Sequence, residues 1–145
     1  MSHKSPAIAA RIAHLHGQDQ PAHLLGWLEC FNTGEFYEAH DVLEELWLEK
    51  REESDADFYK GLIQLAGAFV HLKMHEHPDY PTAGPRLRPA AKLLELAQAN
   101  LESFNPAPHS FDQPAALNLI CHWLALLETA EFKSNPLTTE PAPKL

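Results

Sequence analysis

The sequence is poor in cysteine, and this scarcity limits the kinds of site it can build. Only two of its 145 residues are cysteines, Cys30 and Cys121, and neither has a second cysteine at zinc-site spacing. A zinc site made of cysteine pairs is therefore excluded. Each cysteine lies in an apolar helical stretch, so we expect two buried free thiols, with a disulfide between them as the open alternative.

Basic residues and long apolar runs are also scarce. The chain has 11 Lys and Arg against 20 Asp and Glu, a formal net charge of -9. Nucleic acids and anionic membrane surfaces are bound through Lys and Arg that neutralise phosphates. No apolar segment approaches the roughly 20 residues that span a bilayer, and the N-terminus lacks the apolar core of a signal peptide. We expect no nucleic-acid or membrane partner, and a cytoplasmic protein.

Prolines, glycines and capping residues divide the chain into helices, and no alternating pattern indicates a strand. Ser5 is the expected N-cap of the first helix, and Gly34 is expected to follow the end of the second. The predicted helices are 6–16, one that begins at Pro21, 35–53, 55–75, 86–103 and one that begins at Asp112. This pattern predicts an all-α fold, a single compact bundle of five or six helices around the antiparallel pair 35–53 and 55–75. Residues 1–133 form the predicted domain, and the Pro- and Thr-rich residues 134–145 a flexible C-terminal tail.

The stretch EFYEAHDVLEELW, residues 35–47, places a histidine beside a carboxylate on a predicted helix. At 100° per residue, His40 lies on the flank of an apolar face and Glu44 lies about 40° from it, within reach. Four other acids, at about 100° to 180° from His40, predict a solvated face: Glu38, Asp41, Glu45 and Glu49. The i, i+4 pair is typical of a two-ligand metal clip, but it also suits a hydrogen-bonded pair at a helix crossing.

The next helix carries a narrow polar strip on an otherwise apolar surface. Its members lie within about 40° of Gln64: Asp57, Lys60, Ala68, His71 and His75. Gly61 and Gly67 border the strip and permit close approach of a backbone or a ligand. One interpretation is the exposed edge of a central helix. The other is a polar pocket shared with His40 and Glu44, in which His40, Glu44 and His71 would hold a divalent metal ion.

Two stretches resemble a known family. FNTGEFYEAHDVLEELW followed by FYKGLIQLAGAFVHL is similar to small bacterial and archaeal helical proteins of the domain-of-unknown-function family number three hundred and nine. The resemblance covers about residues 28–95, including AGPRLRPAAKLL, and departs from the family at Asp41 and Pro85. It implies an all-α bundle and no particular activity. It points to Asn32, His40, Glu44, Trp47, Gly61, Gln64 and His71.

Three functions are compatible with these residues. The first is a binding module whose pocket of His40, Glu44, Gln64 and His71, with Asn32 and Trp47 nearby, takes a metal ion or a small polar ligand. The second is a metal-dependent hydrolase, in which the metal lowers the pKa of a bound water. The third is an interaction protein, a homo-oligomer in which the cluster only fixes helix packing. The sequence contains no glycine-rich phosphate loop, GxSxG elbow or HExxH motif, and it does not identify the substrate, metal, oligomeric state or biological process.

Overall fold

The computed structural model describes residues 4–76 and 86–145, and these residues fold into six α-helices without a strand. The predicted all-α class is confirmed. The helices are α1 (Ser5–Ile12), α2 (Ala22–Asn32), α3 (Phe36–Lys50), α4 (Ala56–Glu76), α5 (Leu87–Leu101) and α6 (Gln113–Thr129). Three short 3-10 turns lie at Ala13–Leu15, Pro108–Ser110 and Pro136–Thr138.

None of the helices in the described ranges is both long enough and apolar enough to cross a membrane. The predicted break at 77–85, with Pro85, lies outside the described residues.

Most helix ends lie near the prolines, glycines and capping residues that predict them. The Asp112 carboxylate accepts a hydrogen bond from the backbone N–H of Ala115 at 3.1 Å and so caps α6. Gly34 takes a left-handed φ of 78° just after α2, as expected of a helix stop. The prediction for Ser5 is wrong. It is the first helical residue, and its hydroxyl donates to Glu45 at 3.0 Å instead of capping α1.

α4 is the centre of the bundle, packed between α3 and α5. The rings of Phe36 and Phe69 lie 5.1 Å apart, so the start of α3 lies beside the C-terminal half of α4. A β-carbon on Gly61 would stand 2.8 Å from the Leu101 side chain, so the start of α4 meets the end of α5. α4 therefore runs antiparallel to both neighbours. The expected pair of α3 and α4 is present, and α5 extends it to three helices.

A second, smaller core joins α1 to the rest of the bundle. It contains Ile8, Ile12, Leu15, Ala22 and Val42. Val42 belongs to α3 but points away from the main core, so α1 covers the face of α3 that the sequence predicts to be solvated. That prediction is wrong for Asp41 and Glu45, which are half-buried, and right for Glu38 and Glu49, which are exposed.

The thiols have different environments. Cys30 is fully buried, and the guanidinium Nε of Arg11 donates to its sulfur at 3.2 Å. Cys121 is exposed on α6, so the expectation of burial is wrong there. Both cysteines are free, and no disulfide joins them.

The segment 134–145 lies against the bundle. The Asn135 side chain, only 3% exposed, donates to the carbonyl oxygen of Leu72 at 2.6 Å. The Asn32 side chain forms two hydrogen bonds with the backbone of Leu145, one from Nδ2 to the carbonyl oxygen at 3.0 Å and one from the backbone N–H to Oδ1 at 2.6 Å. The flexibility of this segment stays a prediction, as does the boundary at residue 133.

Candidate functional site

His40 stands between two carboxylates on α3. Its Nδ1 lies 3.3 Å from an Asp41 oxygen, and its Nε2 lies 3.8 Å from a Glu44 oxygen. The imidazole is 32% exposed, so solvent reaches it. The i, i+4 spacing thus produces the expected contact with Glu44. Asp41, which the sequence analysis assigned to the solvated face, is the partner of the other nitrogen.

The ring of His40 also reaches α4 at a position that has no side chain. A β-carbon on Gly67 would lie 4.0 Å from Cδ2 of His40 and 3.3 Å from Cδ1 of Leu93. Gly67 is thus the point at which α3, α4 and α5 come together. Gln64 and His71 flank it on α4, at about 4.5 and 6 Å along the helix axis. The edge of the polar strip at Gly67 therefore faces His40.

Gln64 is held from the α5 side. Its Oε1 accepts a hydrogen bond from Nδ2 of Asn100 at 2.7 Å, and among the described residues its own amide nitrogen has no partner. Gly61, three residues earlier, allows this approach because a β-carbon there would stand 3.2 Å from Cβ of Asn100. The amide of Asn100 therefore fixes the side-chain oxygen of Gln64 on the α5 side.

His71 has a cationic neighbour. Its Nδ1 lies 3.3 Å from Nη1 of Arg86, the residue before α5. Burial, and then the positive charge of Arg86, lower the pKa of His71. Nε of Arg86 is buried without a hydrogen-bond partner in the described structure. A guanidinium this close opposes a second cation at His71, since like charges repel.

The predicted metal ligands have different neighbours. The carboxylates of Asp41 and Glu44 approach different nitrogens of the same imidazole, so the three groups do not converge on one point. Within residues 4–76 and 86–145, no three His, Cys, Asp or Glu side chains are placed to hold a metal ion together. A site formed by His40, Glu44 and His71 stays a prediction.

Two further predicted residues serve the fold in this structure. Trp47 is half-buried and packs against the main core. Asn32 holds the backbone of Leu145. The residues that sequence reasoning missed are Asp41, Asn100 and Arg86. For Asp41 the signal was its position directly after His40, whereas the other two act from α5 and its N-terminal boundary.

Comparison with known proteins supports the resemblance seen in the motifs. The profile of the family described as Domain of unknown function (DUF309) matches residues 24–79 of this chain. The family resemblance is confirmed. The matched segment contains all but the first two residues of α2 and the whole of α3 and α4, and with them His40, Glu44, Gln64 and His71.

One curated relative and the solved structures complete the comparison. A protein of Aquifex aeolicus (strain VF5), described as uncharacterized, is 38% identical over 63 residues, which are 43% of this chain and 19% of that protein. The chain therefore covers about a fifth of the relative it matches. No solved structure matches the chain.

Proposed function

We propose that this chain is a binding module and that it takes a small polar ligand beside His40. We call the site the His40 furrow, and its residues are His40 and Glu44 of α3, Gln64, Gly67 and His71 of α4, and Asn100 of α5. The observation that carries the proposal is the position of the His40 ring opposite Gly67. A β-carbon there would lie 4.0 Å from Cδ2 of His40, so α4 presents no side chain to the imidazole at this position, three residues after Gln64.

The free groups of the furrow define the chemistry of the ligand. The Gln64 amide nitrogen can donate, because Asn100 already occupies its oxygen. The Glu44 side chain is 43% exposed and has His40 as its only ion-pair partner among the described residues, at 3.8 Å, so it can accept from an amine or a hydroxyl. A ligand with a hydrogen-bond acceptor for Gln64 and a donor for Glu44 satisfies both. An apolar ligand cannot form these hydrogen bonds, so a polar ligand is favoured.

A metal-dependent hydrolase is the alternative that the 3.8 Å contact of His40 and Glu44 favours. In that case the metal would lower the pKa of a bound water, and Gln64 would orient the substrate. The position of Arg86 beside His71 argues against a metal-dependent hydrolase, because the guanidinium would repel the metal ion.

Solution NMR tests the proposal directly. The ¹H–¹⁵N spectrum of the labelled protein would be recorded with a library of small amines, amides and hydroxy acids, and separately with zinc, manganese and nickel chlorides. We expect organic ligands to shift the Gln64 and Asn100 side-chain amides, and Gln64→Ala to abolish the shift of the Asn100 amide. The matched control is Gln18→Ala, at an exposed glutamine that does not belong to the furrow.

The outcomes separate the three functions. Shifts with organic ligands that depend on Gln64 support the binding module. Stoichiometric metal binding that His40→Ala removes would replace it with the metal site. If no compound or metal perturbs these amides, and His40→Ala only lowers stability, the cluster holds helices together and the binding proposal is wrong.

A further inference from the structure

An open groove lies between α1 and α3, on the other side of Glu44 from the His40 furrow. Its volume is about 530 Å³, within the usual range of ligand sites. Pro6, Ile8 and Ala9 of α1 and Leu48 of α3 give it an apolar floor. Leu48 is 45% exposed, which is unusual for a large apolar side chain of this protein. We call this cavity the α1–α3 groove.

The rim of the groove is acidic. Lys4, Ser5 and four carboxylates complete its lining: Asp41, Glu44, Glu45 and Glu49. Two of them are already engaged, because Asp41 pairs with Lys4 at 3.2 Å and Glu45 lies 3.1 Å from a ring nitrogen of His23. The other two, Glu44 and Glu49, have no Lys or Arg partner among the described residues. Within the described residues, the lining of the groove therefore carries more negative than positive charge.

Glu44 and Glu49 flank the apolar floor. On the helical wheel of α3, Leu48 lies about 40° from Glu44 on one side and about 100° from Glu49 on the other. Whatever covers Leu48 therefore meets a carboxylate on each side. An anionic surface would be repelled, and an uncharged apolar partner would desolvate these carboxylates without pairing them.

We propose that the α1–α3 groove binds a basic amphipathic helix of a partner protein. The charge complementarity selects Lys and Arg on its flanks, and the apolar floor selects Leu-like side chains between them. Residues 41–49 of α3 span about 12 Å, the length of two helical turns. A partner helix of two to three turns, with apolar residues at i, i+3 and i+4, fits this length. The net charge of -9 also favours fast encounter with a basic segment.

Fluorescence anisotropy tests this proposal with synthetic peptides. The probe is a fluorescein-labelled, amidated 14-residue helix of Leu and Lys in amphipathic order, and its counterpart has Glu in place of every Lys. The variant Leu48→Gln/Glu49→Gln alters the groove. Its matched control is Glu95→Gln/Leu96→Gln, an exposed acid–leucine pair on α5. All four positions are exposed, and circular dichroism checks that both variants keep their helices.

We expect saturable binding of the Lys peptide and weakening of about tenfold in the groove variant, the usual scale for loss of an apolar anchor and its charge. The α5 control should change the Kd less than twofold, and Ala9→Lys should weaken binding by placing a cation on the α1 side. Three results would overturn the proposal: no saturable binding, equal binding of the Glu peptide, or equal weakening in both double variants. None of these residues is needed for the NMR test of Gln64, so the two proposals fail separately.

Discussion

The side-chain amide of Asn135 donates to the carbonyl oxygen of Leu72 at 2.6 Å, a bond that ties the C-terminal segment to the central helix. Asn135 also accepts from the backbone N–H of Leu137 at 3.0 Å, and so begins the last 3-10 turn. Both polar atoms of a side chain that is 97% buried are therefore satisfied. One asparagine thus joins α4 to the turn at Pro136–Thr138.

Replacement of Asn135 should destabilise the protein markedly. Asn135→Ala removes both hydrogen bonds and leaves a buried cavity, so we expect the free energy of unfolding to fall by about 1–3 kcal/mol. Urea denaturation followed by circular dichroism measures this change. Asn118→Ala, at an exposed position on α6, should change it by less than about 0.5 kcal/mol. Equal effects of the two variants would show that the bond to Leu72 contributes nothing.

Two glycines of α4 should differ in their response to the same substitution. A β-carbon on Gly61 would stand 2.8 and 2.9 Å from two carbons of Leu101, a buried side chain. Gly61→Ala should therefore destabilise by about 1–3 kcal/mol through overpacking. At Gly67 the nearest atom is the end of the half-buried Leu93 side chain, at 3.3 Å.

For Gly67→Ala, the gain in helix propensity of about 1 kcal/mol should offset the cost of the close contact with Leu93. Thermal unfolding of both variants checks the order, and a larger loss at Gly67 than at Gly61 would contradict the packing of α4 against α5.

The two thiols should differ in reactivity. Burial raises the pKa of Cys30, and the hydrogen bond from Arg11 only partly opposes this effect. Because the thiolate is the reactive form, Cys30 should react with a disulfide reagent such as DTNB only on unfolding. The exposed Cys121 should react at once, so the folded protein should show one fast thiol per chain. Cys121→Ser should remove the fast phase, whereas two fast thiols in the unmodified protein would mean that the region around Cys30 opens readily.

Stability should fall in mild acid because of His71. Burial and the nearby Arg86 lower its pKa below the ordinary value of 6.5. The unfolded chain, with the ordinary pKa, then binds the proton more readily than the folded chain. The contribution of His71 to the free energy of unfolding is constant above about pH 6.5. Below that pH, stability is lost until the pH reaches the lowered pKa of His71.

His71→Gln should therefore reduce the difference between unfolding free energies at pH 7.5 and pH 5.5. His16→Gln, at an exposed histidine, is the control. An unchanged pH dependence in the His71 variant would show that His71 is not the group responsible.

Much of the fold could be predicted because its signals are local. The cap at Asp112 and the stop at Gly34 depend on one or two side chains and a backbone angle. The burial of Asp41 and Glu45 could not be predicted in the same way, since it depends on where α1 packs. One signal was present: Val42 is a β-branched apolar residue within the acidic face, and it is the residue that α1 covers.

In the candidate site, too, local contacts could be predicted and contacts that depend on helix packing could not. The contact of His40 with Glu44 follows from helical spacing, and Gly67 was recognised as a small residue at the edge of the strip. The partners of Gln64 and His71 are Asn100 and Arg86, which lie 36 and 15 residues away in the sequence. Their roles depend on the register between α4 and α5. That register follows from packing of the whole helix pair, which no single motif encodes.

The Asn32 side chain and the backbone of Leu145 form two hydrogen bonds, which we call the clasp. The clasp has a consequence for folding kinetics. Its two hydrogen bonds join residues 113 positions apart, whereas α2 to α6 pack mostly against neighbours in the chain. Contacts of such long sequence separation carry a large loop-closure entropy, so they form after the local helix pairs. Loss of the clasp should then accelerate unfolding and leave the refolding rate nearly unchanged. The clasp acts on the lifetime of the native state.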